Sequence, residues 1–247
     1  MTQTSQIRLA YDADLPARSG LGTSSSFAVG MLNALYAMKG RFTDKKRLAD
    51  EAIYLERVLC SEAGGWQDQI AASYGGFNKI SFNSDGYRVS PVPITSQRKQ
   101  TLNDRLMLFF TGFTHSSIAI HEKSRERMKE NAVYLSQMKS LADEAESVLL
   151  NPQTDIDEFG RMLSYTWELK KKTNSMITTD EIDYHYKQGI EAGALGGKLL
   201  GAGGGGYLLF YVPEEKQENV RNALDKLIHV PFKFENSGTG VLHYTPD

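Results

Sequence analysis

At 247 residues, 40% of them hydrophobic and 23% charged, the chain has the make-up of an ordinary globular protein with room for one large domain or two modest ones. A net charge of −2 supplies no basic field of the kind nucleic-acid binding needs, and no apolar run reaches membrane-spanning length. A single cysteine, Cys60, excludes an internal disulfide and fits a reducing compartment.

The N-terminus lacks an apolar signal core. Ile7, Leu9 and Tyr11 alternate with polar residues, which predicts a strand. The loop SGLGTSSS follows, and Ala28, Met31, Leu32, Leu35 and Tyr36 then recur at helical spacing up to Gly40. Residues 44–62 read as a second helix, with Cys60 as a small core hydrophobe. GGWQDQIAASYGG reads as a short helix between glycine pairs, and FNKISF and YRVSPVPI as strands joined by a turn at 83–86. The polar stretch 96–105 is a candidate boundary. LMLFF is a buried strand, and 117–193 is helical with breaks near Asn151–Pro152 and around 173–179. GAGGGG then leads into the strand YLLFYV, followed by a helix over 214–228 and strands near 229–235 and 239–244. This mixture is α+β. The five histidines show no paired ligand spacing, so no zinc site is expected.

Two glycine-rich loops invite a phosphate reading. A helix N-terminus leaves backbone N–H groups without partners, and glycines let that backbone close on an anion. Residues 20–26 are therefore a candidate cradle, with a serine N-cap on an ordinary helix as the alternative. A Walker loop is excluded because Gly197-Lys198 is followed by Leu199. A dinucleotide fingerprint is excluded because GAGGGG runs into a strand rather than a helix. Asp68 falls in the first turn of its short helix, where the dipole favours a carboxylate, and Glu56 lies twelve residues earlier.

Taken in order, SGLGTSSS, LERVLCSEAGGWQDQIAASYGG and KLLGAGGGGYLLF resemble the phosphate loop, the metal-and-base segment and the third motif of the GHMP kinases. Within that family, GGWQDQIAASYGGFN, WELKKKTN and GALGGKLLGAGGGG are most similar to the sugar 1-kinases of D-glycero-D-manno-heptose 7-phosphate. The resemblance implies a ribosomal-protein-like N-terminal ATP-binding domain over 1–103 and a ferredoxin-like domain over 104–247. The family's first motif is not found, so the resemblance implies an N-terminal domain incomplete at its start.

Residue by residue, the resemblance implies that Gly20, Leu21, Gly22, Thr23, Ser24, Ser25 and Ser26 wrap the phosphates of ATP. Ser24 and Glu56 would hold Mg²⁺, and Asp68 would take the proton of the sugar hydroxyl. Gly203, Gly204 and Gly205 would pack near the nucleotide. Candidate substrate contacts are Gly65, Trp66, His115 and Lys198. His115 stands where the sugar-kinase branch usually has arginine. Lys170, Lys171 and Lys172 read as a solvated helix face, with a hold on the sugar's own phosphate as the alternative. The implied partners are ATP and a sugar phosphate in the cytoplasm, with no nucleic acid or membrane, and the reading leaves room for a homodimer. The alternatives are a fucose- or galactose-type 1-kinase and a non-catalytic protein of the same fold.

Overall fold

The computed structural model describes residues 7–16, 20–112 and 117–245. Helix α1 (Thr23–Met38) leaves the first glycine loop and buries Ala28 and Val29. Those residues pack with Leu48 and Ala52 of α2 (Lys45–Tyr54), whose start is capped by the Asp44 carboxylate accepting from the Arg47 amide. The segment expected to be one helix over 44–62 changes character at Leu55. Leu55–Leu59 is a π turn, closed by the Cys60 amide donating to the Leu55 carbonyl at 2.9 Å. A π turn shifts the helical phase and occurs often at functional sites. Glu56, one turn beyond buried Ala52, faces inward at 4% exposure, and the phase shift after it turns Cys60 outward. Cys60 is therefore not a core residue, because the expectation assumed an unbroken 3.6-residue period.

Helix α3 (Gln67–Tyr74) is followed by the hairpin β1 (Asn78–Asn83) and β2 (Gly86–Pro91), which closes with Asn83 opposite Gly86 as expected. The polar stretch read as a boundary is a helix, α4 (Ser96–Arg105), capped by Thr95 and running straight into β3 (Leu106–Phe110). Its single buried residue, Leu102, explains why it looked like a linker. Residues 7–11 form no strand. Ile7, Leu9 and Tyr11 are exposed, and Tyr11 lays its ring edge-on against Phe27 at 4.9 Å. Alternation alone makes no strand without a neighbour to pair with.

The later helical region breaks near 151–156 and 174–179 as predicted and also, unexpectedly, at 127–131, giving α5 (Ser117–Glu126), α6 (Ala132–Leu150), α7 (Asp157–Thr173) and α8 (Asp180–Glu191). Strands β4 (Gly196–Leu199) and β5 (Tyr207–Tyr211), helix α9 (Gln217–Ala223) and strand β6 (Ile228–Val230) complete the unit. The antiparallel sheet has the order β4-β5-β3-β6. With helices after β3 and after β5, this is the ferredoxin-like order, and the α+β class holds. Its core gathers Phe109, Trp167, Ile182, Leu208 and Phe210. Helix α7 lies so close to β4 that Gly160 and Gly196 touch backbone to backbone.

The expected strand at 239–244 is not formed. The tail instead joins the end of α3: Gly76 donates to the Glu235 carbonyl at 3.1 Å, and Thr239 to that of Ala72 at 2.9 Å. Gly75 and Gly238 are packed too closely there for a side chain on either. Among the described residues, no helix is long and apolar enough to cross a membrane.

Candidate active site

The start of α1 is built from backbone. Gly22 is its N-cap at φ 70°, with no side-chain cap. That displaces the serine N-cap reading and leaves the first amides of α1 for an outside acceptor. Glycine is required here twice over. The φ lies in the left-handed region, and a Cβ would stand 3.0 Å from Cβ and 3.1 Å from Cγ of Asp68. The helix start and the candidate base are thus in van der Waals contact.

Glu56 is reached from two sides. The Ser25 hydroxyl donates to its Oε2 at 2.8 Å, and the Gln69 side-chain amide donates to the same oxygen. Oε1 is buried with no hydrogen-bond partner among the described residues. A buried carboxylate oxygen left in that state is costly unless a ligand completes it. The hydroxyl in contact with Glu56 is that of Ser25, not Ser24. Successive helical residues point about 100° apart, so Ser25 turns into the core and Ser24 stays exposed at the mouth. Sequence reasoning missed both Ser25's grip on Glu56 and Gln69, because two residues along a helix say nothing about a third element.

Asp68 is half-buried, and that burial raises its carboxyl pKa above the ordinary value; Arg57 opposes the rise and Glu56 adds to it. The dipole effect expected from its helix position is outweighed by desolvation. Arg57 donates to the Gly65 carbonyl at 2.8 and 3.1 Å and to that of Ala63 at 3.0 Å. It pins the loop that leads into Asp68, a role no sequence signal indicated.

The second glycine loop meets the first through Gly201: a Cβ there would lie 2.8 Å from the Gly20 Cα. Gly203, Gly204 and Gly205 are buried. Gly203 packs against Ile177, and the Gly204 amide donates to the Ile177 carbonyl at 2.9 Å. Gly203 and Gly204 therefore brace the loop from within, Gly205 is buried beside them, and Gly201 makes the approach.

Lys170 is half-buried rather than fully solvated. Its ammonium donates to the Gly201 carbonyl at 2.7 Å, and burial, helped by Lys198, brings its pKa down to about 7. Burial also lowers the pKa of Lys198. Its neighbours keep to the surface reading: Lys171 pairs with Glu168 at 2.8 Å, and Lys172 lies over the Tyr134 ring. Trp66 is 41% exposed and touches Phe82 edge-on at 6.4 Å, so it is not a core residue. Gly65 is exposed beside Gln67. His115 lies outside the described residues.

Among the described residues, no three acidic, histidine or cysteine side chains gather to hold a metal. Mg²⁺ needs no such cage, because it takes one or two carboxylates and lets phosphate and water complete its shell. The unpartnered Glu56 Oε1 beside a serine-rich helix start fits that donor set. A cavity of about 670 Å³ lies elsewhere, between Phe77, Lys99 and Phe234. No acid lines it, so it offers neither a base nor a metal carboxylate.

Comparison with known proteins bears on this geometry. The family model for the GHMP kinases N terminal domain matches residues 2–76, and that for the GHMP kinases C terminal matches residues 141–229. The chain is 32% identical over 217 residues to a D-glycero-alpha-D-manno-heptose 7-phosphate kinase of Campylobacter jejuni, covering 87% of this chain and 63% of that one. It is also 32% identical to an L-fucokinase/L-fucose-1-P guanylyltransferase of Bacteroides fragilis, over 87% of this chain and 23% of that one. The crystal structure of a D-glycero-D-manno-heptose 1-phosphate kinase from Bacteroides thetaiotaomicron superposes with a TM-score of 0.69 at 28% identity, covering 94% of this chain and 66% of the other. The chain thus spans just under two thirds of the single-function heptose kinase it matches.

Proposed function

The chain belongs to the GHMP kinases, and from that premise we propose that it transfers the γ-phosphoryl group of ATP to the anomeric hydroxyl of a sugar phosphate. The substrate we favour is D-glycero-D-manno-heptose 7-phosphate, giving the 1,7-bisphosphate. The observation that carries this reading is the contact between Gly22 and Asp68, which brings a carboxylate up to the amides that would hold the transferred phosphate.

In this reading the amides of 23–25 hold the phosphates and the α1 dipole offsets their charge. Glu56, through Oε1, and Ser24 would hold Mg²⁺, while Ser25 and Gln69 fix the Glu56 carboxylate in place. When bound, the ion neutralises phosphate charge as the bond to the leaving oxygen breaks. Asp68 orients the sugar hydroxyl and accepts its proton as that oxygen bonds to phosphorus and ADP departs. Its raised pKa moves it toward the range in which a general base is effective. Trp66 and Gly65 stand at the exposed edge beside it, where a sugar ring would lie. We read the setting as cytoplasmic, where ATP is supplied.

The similarity to an L-fucokinase supports a second reading, a fucose-type 1-kinase. A substrate panel with ATP and Mg²⁺ separates the two, with phosphorus NMR of the product. Turnover on the heptose 7-phosphate with a new anomeric phosphate supports the first reading. Turnover confined to fucose or galactose supports the second, and none on any sugar removes both.

A further inference from the structure

We infer that Lys170 and Lys198 form the site for the phosphate that the acceptor sugar already carries, and so select phosphorylated over unphosphorylated sugars. The inference rests on the kinase reading above and adds to it the groups that read the substrate's second anion.

Positions 196 and 198 of a strand share one face. Gly196 presents that face to α7, touching Gly160, so Lys198 stands under the same helix. Ten residues beyond Gly160, Lys170 holds the Gly201 carbonyl at 2.7 Å. Both lysines therefore lie along the α7–β4 seam, and the charge of Lys198 adds to burial in lowering the pKa of Lys170. Among the described residues, no acidic side chain pairs with either. The Gly201 carbonyl and the Trp167 ring meet Lys170, but two half-buried cations at one helix–strand seam without a carboxylate are costly, and a doubly charged phosphate relieves that cost.

The surroundings extend the same field. His121 feels Lys170, Arg57 and Arg125, and Arg57 also acts on Asp68. An arc of positive groups thus runs from the loop before Asp68 to the glycine loop at Gly201. The start of α1 already provides an anion site for the nucleotide. Lys170 holds the carbonyl of Gly201, the residue that packs on Gly20 of the first loop, and Lys198 precedes that residue, on β4. The occupant of the lysine site is then a second phosphate in the same substrate complex, which a phosphorylated acceptor supplies.

Calorimetric titration of the 247-residue protein tests this. The ligands are D-glycero-D-manno-heptose 7-phosphate, the unphosphorylated heptose and a non-hydrolysable ATP analogue. The parent protein should bind the phosphorylated sugar at least about 10-fold more tightly, the scale of one charge-assisted phosphate contact. Lys170→Met and Lys198→Met should each abolish most of that preference and leave analogue affinity within about twofold. Circular dichroism would confirm folding, and Lys170→Arg, which keeps the charge, should retain part of the preference. A parent protein without the preference overturns the inference. So do variants that keep it, or that lose analogue affinity in the same proportion. Phosphoryl transfer to an unphosphorylated sugar in that event would leave the kinase reading standing.

Discussion

Gly22 and Asp68, forty-six positions apart in the chain, sit so close that a single added methyl would press on the Asp68 side chain at 3.0–3.4 Å. Gly22→Ala therefore strains a φ of 70° and pushes on Asp68 at once. The expected stability loss is about 1–3 kcal/mol. Turnover should fall further than that loss explains, because the proposed base is displaced even in molecules that remain folded. Chemical denaturation beside kcat, measured where the variant is fully folded, checks it. A variant with normal kcat would mean that Asp68 need not be where it is.

Glu56→Gln keeps the shape of a side chain already fixed by Ser25 and Gln69 while removing its charge. Without nucleotide, the variant should be as stable as the parent or more so, since a buried carboxylate with an unpartnered oxygen is gone. Affinity for Mg–ATP should drop about 10-fold or more, and the requirement for Mg²⁺ should shift to higher concentration. Unchanged metal dependence in the folded variant would remove Glu56 from the metal site.

Lys170 makes a prediction about stability against pH. Its pKa is about 7 in the folded chain, against an ordinary 10.5, so between those values the unfolded chain binds more protons. Stability from this group therefore rises as pH increases from about 7 toward 10.5, and the full penalty is present below that window. Lys170→Met should be more stable than the parent near and below pH 7, by about 1–3 kcal/mol. The gap should close as pH rises. Urea midpoints at several pH values read it, and a constant gap would show that the ammonium is not what burdens the fold.

Much of this architecture was legible in the chain, and the misses share a cause. The breaks at 151–152 and 173–179, the hairpin at 83–86 and the short helix before Gly75-Gly76 were local signals of glycine, proline and spacing. Gly22, Glu56 and Asp68 came from motifs whose order is itself informative. Cys60 and the helix over 44–62 were misread because a π turn changes phase without a local signature. The strands expected at 7–11 and 239–244 needed a sheet edge, which alternation cannot guarantee. Ser25, Gln69, Arg57, Gly201 and Lys170 owe their roles to contacts between elements. Nothing in the sequence separates Lys170 from Lys171 and Lys172; its reach to the Gly201 carbonyl does.

The central claim is that Asp68 accepts the proton of the sugar hydroxyl, and the most direct measurement is the turnover of Asp68→Asn against pH beside Asp85→Asn. Asp85 lies in the exposed hairpin turn with no proposed role. Removing a general base costs about 10²–10⁴ in rate. Asp68→Asn should therefore lose about that much kcat with ATP affinity little changed. It should also lose the acidic limb of the parent's pH profile, which should lie higher than that of an ordinary aspartate because burial raises the Asp68 pKa. Asp85→Asn should match the parent. Similar small losses in the two variants, or an acidic limb that survives in Asp68→Asn, would contradict the assignment of Asp68 as the base.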